Sequence, residues 1–119
     1  MNAVEERRRH RRHTVQSSVR CRRLGRGGYE EEVASVDLSL GGVLVRADDR
    51  LGVGDVLVLD FPVADLSLGL RGLVVSVRSV AGDPDPDARY VHVAFTGLSP
   101  ERLDLLCRYV EDLSAETSA

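Results

Sequence analysis

The chain has 119 residues, 43% of them hydrophobic and 29% charged, with a formal net charge of −3. That length fits one domain able to bury a core without disulfides or metals, and the hydrophobic share excludes a wholly disordered chain. No apolar run approaches the roughly 20 residues of a membrane span, and no apolar segment after Met1 reads as a secretory signal. The predicted elements begin after a basic run, Arg7-Arg8-Arg9-His10-Arg11-Arg12. His13 to Cys21 is β-compatible and Gly25-Arg26-Gly27-Gly28 breaks it; Tyr29 to Val36 is a second strand. Asp37 to Gly42 reads as a turn, since Asp and Ser close local hydrogen bonds and Gly supplies conformational freedom. Val43 to Arg46 returns as a strand, Asp48 to Asp55 is a loop, and Val56 to Phe61 is a strand stopped by Pro62. Leu66 to Val80 reads as one long bent strand in which Gly69 and Gly72 mark a bulge or tight bend. Asp83-Pro84-Asp85-Pro86-Asp87 is an acidic hairpin loop, and Tyr90 to Phe95 is the last strand. Ser99-Pro100-Glu101 then has the residue types of a helix start, an N-cap, a first-turn proline and an acid. Leu103, Leu106, Cys107 and Val110 follow at helical spacing, so the chain closes with an amphipathic helix fading near Leu113.

With aromatics at 4% and no Trp, the core is expected to consist of Val, Leu and Ala. Six short strands at this spacing imply a small antiparallel barrel or sandwich. Cys21 and Cys107 are too few for a disulfide scaffold and are expected to be free thiols, which makes the cytoplasm the expected location.

The charge is unevenly distributed. All 16 basic residues are Arg; nine lie in residues 1–26 against two acids, Glu5 and Glu6, while the remainder carries seven Arg against 17 acids. A basic end on an acidic body points to an anionic ligand held near the N-terminus. A GC-rich coding sequence would also replace Lys by Arg, so the clustering carries this inference.

Signals for catalysis are poor. Ser39 lacks the glycine of a nucleophile elbow. His10 and His13 sit in a run of Arg that repels cations, and His92, between Val91 and Val93, fits a half-exposed strand position. Neither cysteine has a partner at metal-ligand spacing, and no phosphate-cradling or dinucleotide glycine pattern occurs. Neither an enzyme nor a metal or cofactor is expected. Two pieces speak for binding. The Arg run offers planar forks that suit phosphate and the O6/N7 edge of guanine. Asp37-x-Ser39-x-x-Gly42 offers a carboxylate acceptor, a hydroxyl and a backbone that permits close approach.

Arg7-Arg8-x-x-x-Arg12 together with Asp37-x-Ser39-x-x-Gly42 resembles the RxxxR and (D/N)xSxxG signature of PilZ domains. Gly54-Asp55-x-Leu57-x-Leu59, Gly72-x-Val74-Val75 and Val91-His92-Val93-Ala94-Phe95 are similar to strands of that family in the same order, so the likeness spans roughly residues 5–112. One departure is His92, where the family usually has a small Gly. The resemblance implies a mainly β fold, a six-stranded antiparallel barrel with a C-terminal α-helix and a flexible Arg-rich N-terminal arm. It divides the chain into an arm (1–12), a barrel with its helix (13–113) and a polar tail (114–119). The implied ligand is the bacterial second messenger cyclic di-GMP, bound through Arg7, Arg8, Arg12, Asp37, Ser39 and Gly42. Both Arg7/Arg11 and Arg8/Arg12 fit RxxxR; the second pair aligns with the family's usual opening. An extra Arg ahead of the motif, here Arg7, accompanies binding of a stacked ligand pair, so one or two ligands per domain remain open. The implied function is non-catalytic: ligand binding is passed to a protein partner in trans in motility, polysaccharide or biofilm control. The alternatives are a PilZ-like adaptor without ligand and a small nucleic-acid-binding barrel; an acidic body with five aromatics makes a poor base-stacking platform.

Overall fold

The structure, a computed structural model, describes residues 13–25, 27–63 and 66–118. Six strands form: β1 (His13–Arg23), β2 (Glu30–Leu38), β3 (Gly42–Ala47), β4 (Val56–Val63), β5 (Leu66–Ser79) and β6 (Arg89–Phe95), followed by helix α1 (Pro100–Ser118). They close into an antiparallel barrel in the order β1-β2-β3-β6-β5-β4. Closure depends on the 14-residue β5, whose first half pairs with β4 (Leu66 to Leu73) and whose second half pairs with β6 (Gly72 to Ser79). The seam is the β1–β4 ladder, Arg20 to Arg23 against Leu57 to Asp60, which covers that stretch of sheet edge.

Alternation fills the interior with Val19, Val43, Val45, Leu57, Leu59, Leu70, Val74, Val91 and Val93, each at most 1% exposed. The expected Val and Leu core is therefore present, but Ala contributes little, Ala88 being the one buried alanine among the described residues. Aromatics supply the bulk at the two barrel ends. At one end, Phe61 meets Phe95 edge-on at 6.1 Å and Tyr109 of α1 at 5.8 Å. At the other, Tyr29 is buried beneath two guanidinium groups, Arg50 at 4.7 Å and Arg23 at 5.8 Å from the ring centroid. Both cysteines are free; Cys21 is fully buried, and desolvation pushes its thiol up to about 12, which makes it a core residue rather than a nucleophile.

The helix starts as the sequence predicts. Ser99 Oγ accepts the Arg102 N–H at 3.2 Å, and Pro100 occupies the first turn, where its missing N–H costs nothing. Its end and its face differ from expectation. With neither Gly nor Pro after Pro100, nothing stops the helix near Leu113, and it continues to Ser118. The buried face is Leu106 and Tyr109, with Leu105 and Val110 packed beside them; Leu103 stands 39% exposed. The apolar stripe is thus rotated from the expected one, because Tyr109 is the side chain that reaches Phe61. Replacing Leu106, fully buried at this plug, by Ala is expected to cost about 3 kcal/mol through a cavity that the barrel rim cannot refill. Urea unfolding measures it; a loss below about 1 kcal/mol would show that α1 is not integral to the core.

Two strand readings are also corrected. Pro62 does not stop β4, which runs on to Val63. β1 pairs with β4 only from Leu57 to Asp60, so Pro62 lies past that ladder, paired with Ser67 of β5, where a proline is tolerated. The irregularity of β5 falls at Val75, between Val74 and Ser76, rather than at Gly69 or Gly72. Gly72 instead permits close approach: a Cβ there would press on the Val93 side chain and the Ala94 carbonyl.

Candidate functional site

The Asp37-x-Ser39-x-x-Gly42 segment lies at the helix-plugged end of the barrel, and its strand boundaries differ from the sequence reading. Asp37 and Leu38 belong to β2, and the turn is confined to residues 39–41. What aims Asp37 is a β-bulge. Ser35 pairs with Val45 and Asp37 with Leu44, leaving Val36 as an extra residue. Val33 and Ser35 are buried, so strict alternation would turn Asp37 inward as well. The extra residue shifts the phase: Leu38 becomes the buried side chain, 1% exposed, and Asp37 moves to the outer face beside Leu44.

Ser39 and Gly42 shape the turn. The Ser39 N–H donates to the Gly42 carbonyl at 2.9 Å, and the Gly41 N–H donates to Ser39 Oγ at 3.3 Å. The hydroxyl is thus spent partly on its own turn, a local closure typical of serine. Gly42 pairs with Ala94 of β6, and a Cβ there would fall inside the radius of the Val93 carbonyl oxygen. The group that approaches Gly42 closely here is the protein's own strand β6. The Phe95 N–H donates to the Gly41 carbonyl at 3.0 Å, which ties the turn through Phe95 and Phe61 to Tyr109 of α1.

Arg7, Arg8 and Arg12 lie outside the described residues. The first described residue after them is placed: His13 pairs with Leu38, and Thr14 pairs with Asp37. The strand that continues the Arg run therefore begins beside the turn. Asp37, Ser39 and Gly42 are brought together there, as their spacing predicts.

From Asp37 an outward row crosses the sheet: Asp37, Leu44, His92 and Ser76 are successive cross-strand partners. His92 is half-buried on this row, as the sequence reading has it. The neighbouring row is Ser18, Ala34, Arg46, Tyr90 and Arg78. Here an open cavity of about 540 Å³ is lined by Ser18, Glu32, Ala34, Val36, Arg46 and Tyr90 among others. Arg46 donates through Nε and Nη2 to the two carboxylate oxygens of Asp83, each at 2.8 Å. The Asp85 N–H also donates to Asp83, and these bonds, the Arg46 pair foremost, hold the Asp83 carboxyl down to about 2. The Arg78 guanidinium lies 5.6 Å from the Tyr90 ring centroid. The sequence marks Arg46 as a strand residue and Asp83 as part of an acidic loop, with no sign of their pairing. Alternation along Gly42-Val43-Leu44-Val45-Arg46 marks Arg46 as outward, but nothing local ties it to an acid 37 residues away. Among the described residues no three His, Cys, Asp or Glu gather to hold a metal, and no helix is long and apolar enough to cross a membrane.

The PilZ domain profile matches residues 6–112. The chain belongs to the PilZ domain family. Among solved structures, this PilZ chain is similar to the PilZ domain with cyclic di-GMP of YcgR from Escherichia coli, at 19% identity and a TM-score of 0.73, covering 93% of this chain and 94% of that one. It is similar to the inhibitor of motility MotI of Bacillus subtilis, at 19% identity and a TM-score of 0.69, covering 92% of this chain and 52% of that one. A MrkH–cyclic di-GMP complex from K. pneumonia also matches, at 19% identity and a TM-score of 0.70, covering 93% and 53%. This PilZ chain thus spans about half the length of MotI and MrkH. At these identities the likeness establishes the fold. No curated protein matches the sequence.

Proposed function

We propose that this PilZ domain is a non-catalytic, cytoplasmic receptor for cyclic di-GMP that acts on a protein partner in trans, in motility, polysaccharide or biofilm control. The observation that carries this reading is the pairing of His13 with Leu38 and of Thr14 with Asp37. Chain continuity attaches Arg12 to His13, so the run Arg7 to Arg12 starts one peptide bond, about 3.8 Å between Cα atoms, from the strand pair that carries Asp37. In this reading residues 1–12 form an arm, guanidinium groups from Arg8 and Arg12 meet phosphate and guanine, and the Asp37 carboxylate accepts from base N–H groups. Ser39 and Gly42 keep the facing turn in shape. Binding then orders the arm beside the α1 plug, which alters the surface offered to the partner. The YcgR domain and MrkH, whose structures are described as holding cyclic di-GMP, support the ligand class.

Isothermal titration of the purified chain with cyclic di-GMP, with GTP and short DNA as controls, tests the reading. Selective binding of the cyclic dinucleotide is expected, and its stoichiometry separates one ligand from a stacked pair. A folded protein that takes up none of the three would make the chain a ligand-independent adaptor. Affinity for DNA that survives physiological salt would make it a nucleic-acid binder.

A further inference from the structure

We propose that Arg46, held in place by Asp83, reads the edge of a guanine in the outer-face cavity, at a position separate from the Asp37–Gly42 turn. This rests on the cyclic di-GMP reading above. Asp83 occupies one fork of the Arg46 guanidinium, the Nε/Nη2 edge. The other fork, Nη1 with the second Nη2 hydrogen, has no partner among the described residues, and Arg46 lines the cavity. That fork matches the paired acceptors O6 and N7 of guanine.

Glu32 makes guanine a better fit than phosphate. Glu32 lines the same cavity, and among the described residues its carboxylate is engaged only at Oε2, by Ser18 Oγ at 3.1 Å. A carboxylate repels phosphate but accepts from the N1–H and N2–H groups of guanine, which lie on the base edge next to O6. A donor fork and an acceptor around one cavity complement that base and no other part of the ligand. Ala34, the cross-strand partner of Arg46 and two residues along β2 from Glu32, is small and leaves room for a flat ring, and Tyr90 supplies an aromatic wall. Arg46 is two residues along β3 from Leu44, the partner of Asp37, so the two positions are about 7 Å apart along the strand, within the span of a dinucleotide.

Asp83 positions Arg46 rather than competing for it. Its side chain is 10% exposed and accepts from the Asp85 backbone as well, so a ligand that displaced Arg46 would strand a carboxylate already withdrawn from water. With Asp83 in place, the free fork is presented without a search through side-chain rotamers.

The test compares cyclic di-GMP with the hybrid cyclic GMP–AMP by calorimetry on the whole chain, with thermal melting to confirm that each variant is folded. The wild type is expected to prefer cyclic di-GMP by about tenfold or more, because adenine offers an amino group where guanine offers O6. Arg46→Ala is expected to lose that preference and bind the two ligands alike. Arg46→Lys should behave as Arg46→Ala, since an ammonium has charge without a fork. Asp83→Asn should weaken cyclic di-GMP binding less than Arg46→Ala, and the double variant should match Arg46→Ala, because Asp83 acts only through Arg46. An Arg46→Ala protein that keeps the wild-type preference overturns the assignment while leaving the receptor reading intact. So does an Asp83→Asn loss that adds in full to that of Arg46→Ala. A wild type that binds neither ligand overturns both readings.

Discussion

Gly42→Ala is expected to lower the melting temperature by on the order of 10 °C, an effect on the barrel before it is an effect on any ligand. The added methyl would meet the Val93 carbonyl oxygen, with the Ala94 Cα at 3.3 Å. Both are backbone atoms of β6, hydrogen-bonded in the ladder with β3, so no side-chain rotation relieves the clash. Overpacking usually costs about 1–3 kcal/mol, and an obstruction made of backbone belongs at the upper end. Gly28→Ala is the control: a Cβ there meets nothing within 4 Å, and its melting should stay within about 0.5 kcal/mol of wild type. If Gly42→Ala melted as the wild type does yet failed to bind cyclic di-GMP, Gly42 would be a ligand-approach position and the β3–β6 argument would be wrong. The distinction bears on the family signature. Of its second half, Asp37 faces the outer surface, Ser39 closes the turn, and Gly42 lets β3 lie against β6.

Much of this was legible in the sequence because it is local. The strand order, the glycine-rich break after β1, the acidic β5–β6 loop and the Ser99 cap each depend on residues within a few positions of one another. Strand spacing alone leaves barrel and sandwich open, and the barrel is what the likeness of Asp37-x-Ser39-x-x-Gly42 and the Arg run to the PilZ signature implies. What is not legible in the sequence, apart from the run of α1 past Leu113, is decided by contacts across the fold. Period-two alternation puts Asp37 on the face of Val33 and Ser35, and only the extra residue at Val36, seen in the register with β3, turns it outward. Leu103 looks apolar enough to be buried, but the rim of the barrel presents Phe61 to Tyr109 instead. Pro62 looks like a stop, and is harmless because β1 has already diverged from β4. Arg46 is an unremarkable strand residue until the β5–β6 loop folds back and sets Asp83 against it.

Arg8→Ala and Arg12→Ala are each expected to weaken cyclic di-GMP binding by about 5- to 150-fold while leaving the melting temperature where it was. The two expectations have separate causes. A bidentate guanidinium–guanine or guanidinium–phosphate contact is worth about 1–3 kcal/mol, and a micromolar site has only about 8 kcal/mol in all, so one lost fork moves it toward the millimolar range. The fold is not expected to depend on them, because among the described residues barrel pairing runs from His13 onward and the core is built from Val19 onward. Ser39→Ala is expected to weaken binding less, by about 0.5–1.5 kcal/mol, since its hydroxyl already accepts the Gly41 N–H and serves mainly to hold the turn. Calorimetry and thermal melting on the three variants give the ranking. Equal affinity in Arg8→Ala, Arg12→Ala and wild type would shift the register to Arg7 and Arg11 or remove the arm from the site. A Ser39→Ala loss exceeding that of either arginine would mean that the rigid turn, rather than the guanidinium forks, carries recognition. The ligand would then be held chiefly by the face that presents Asp37.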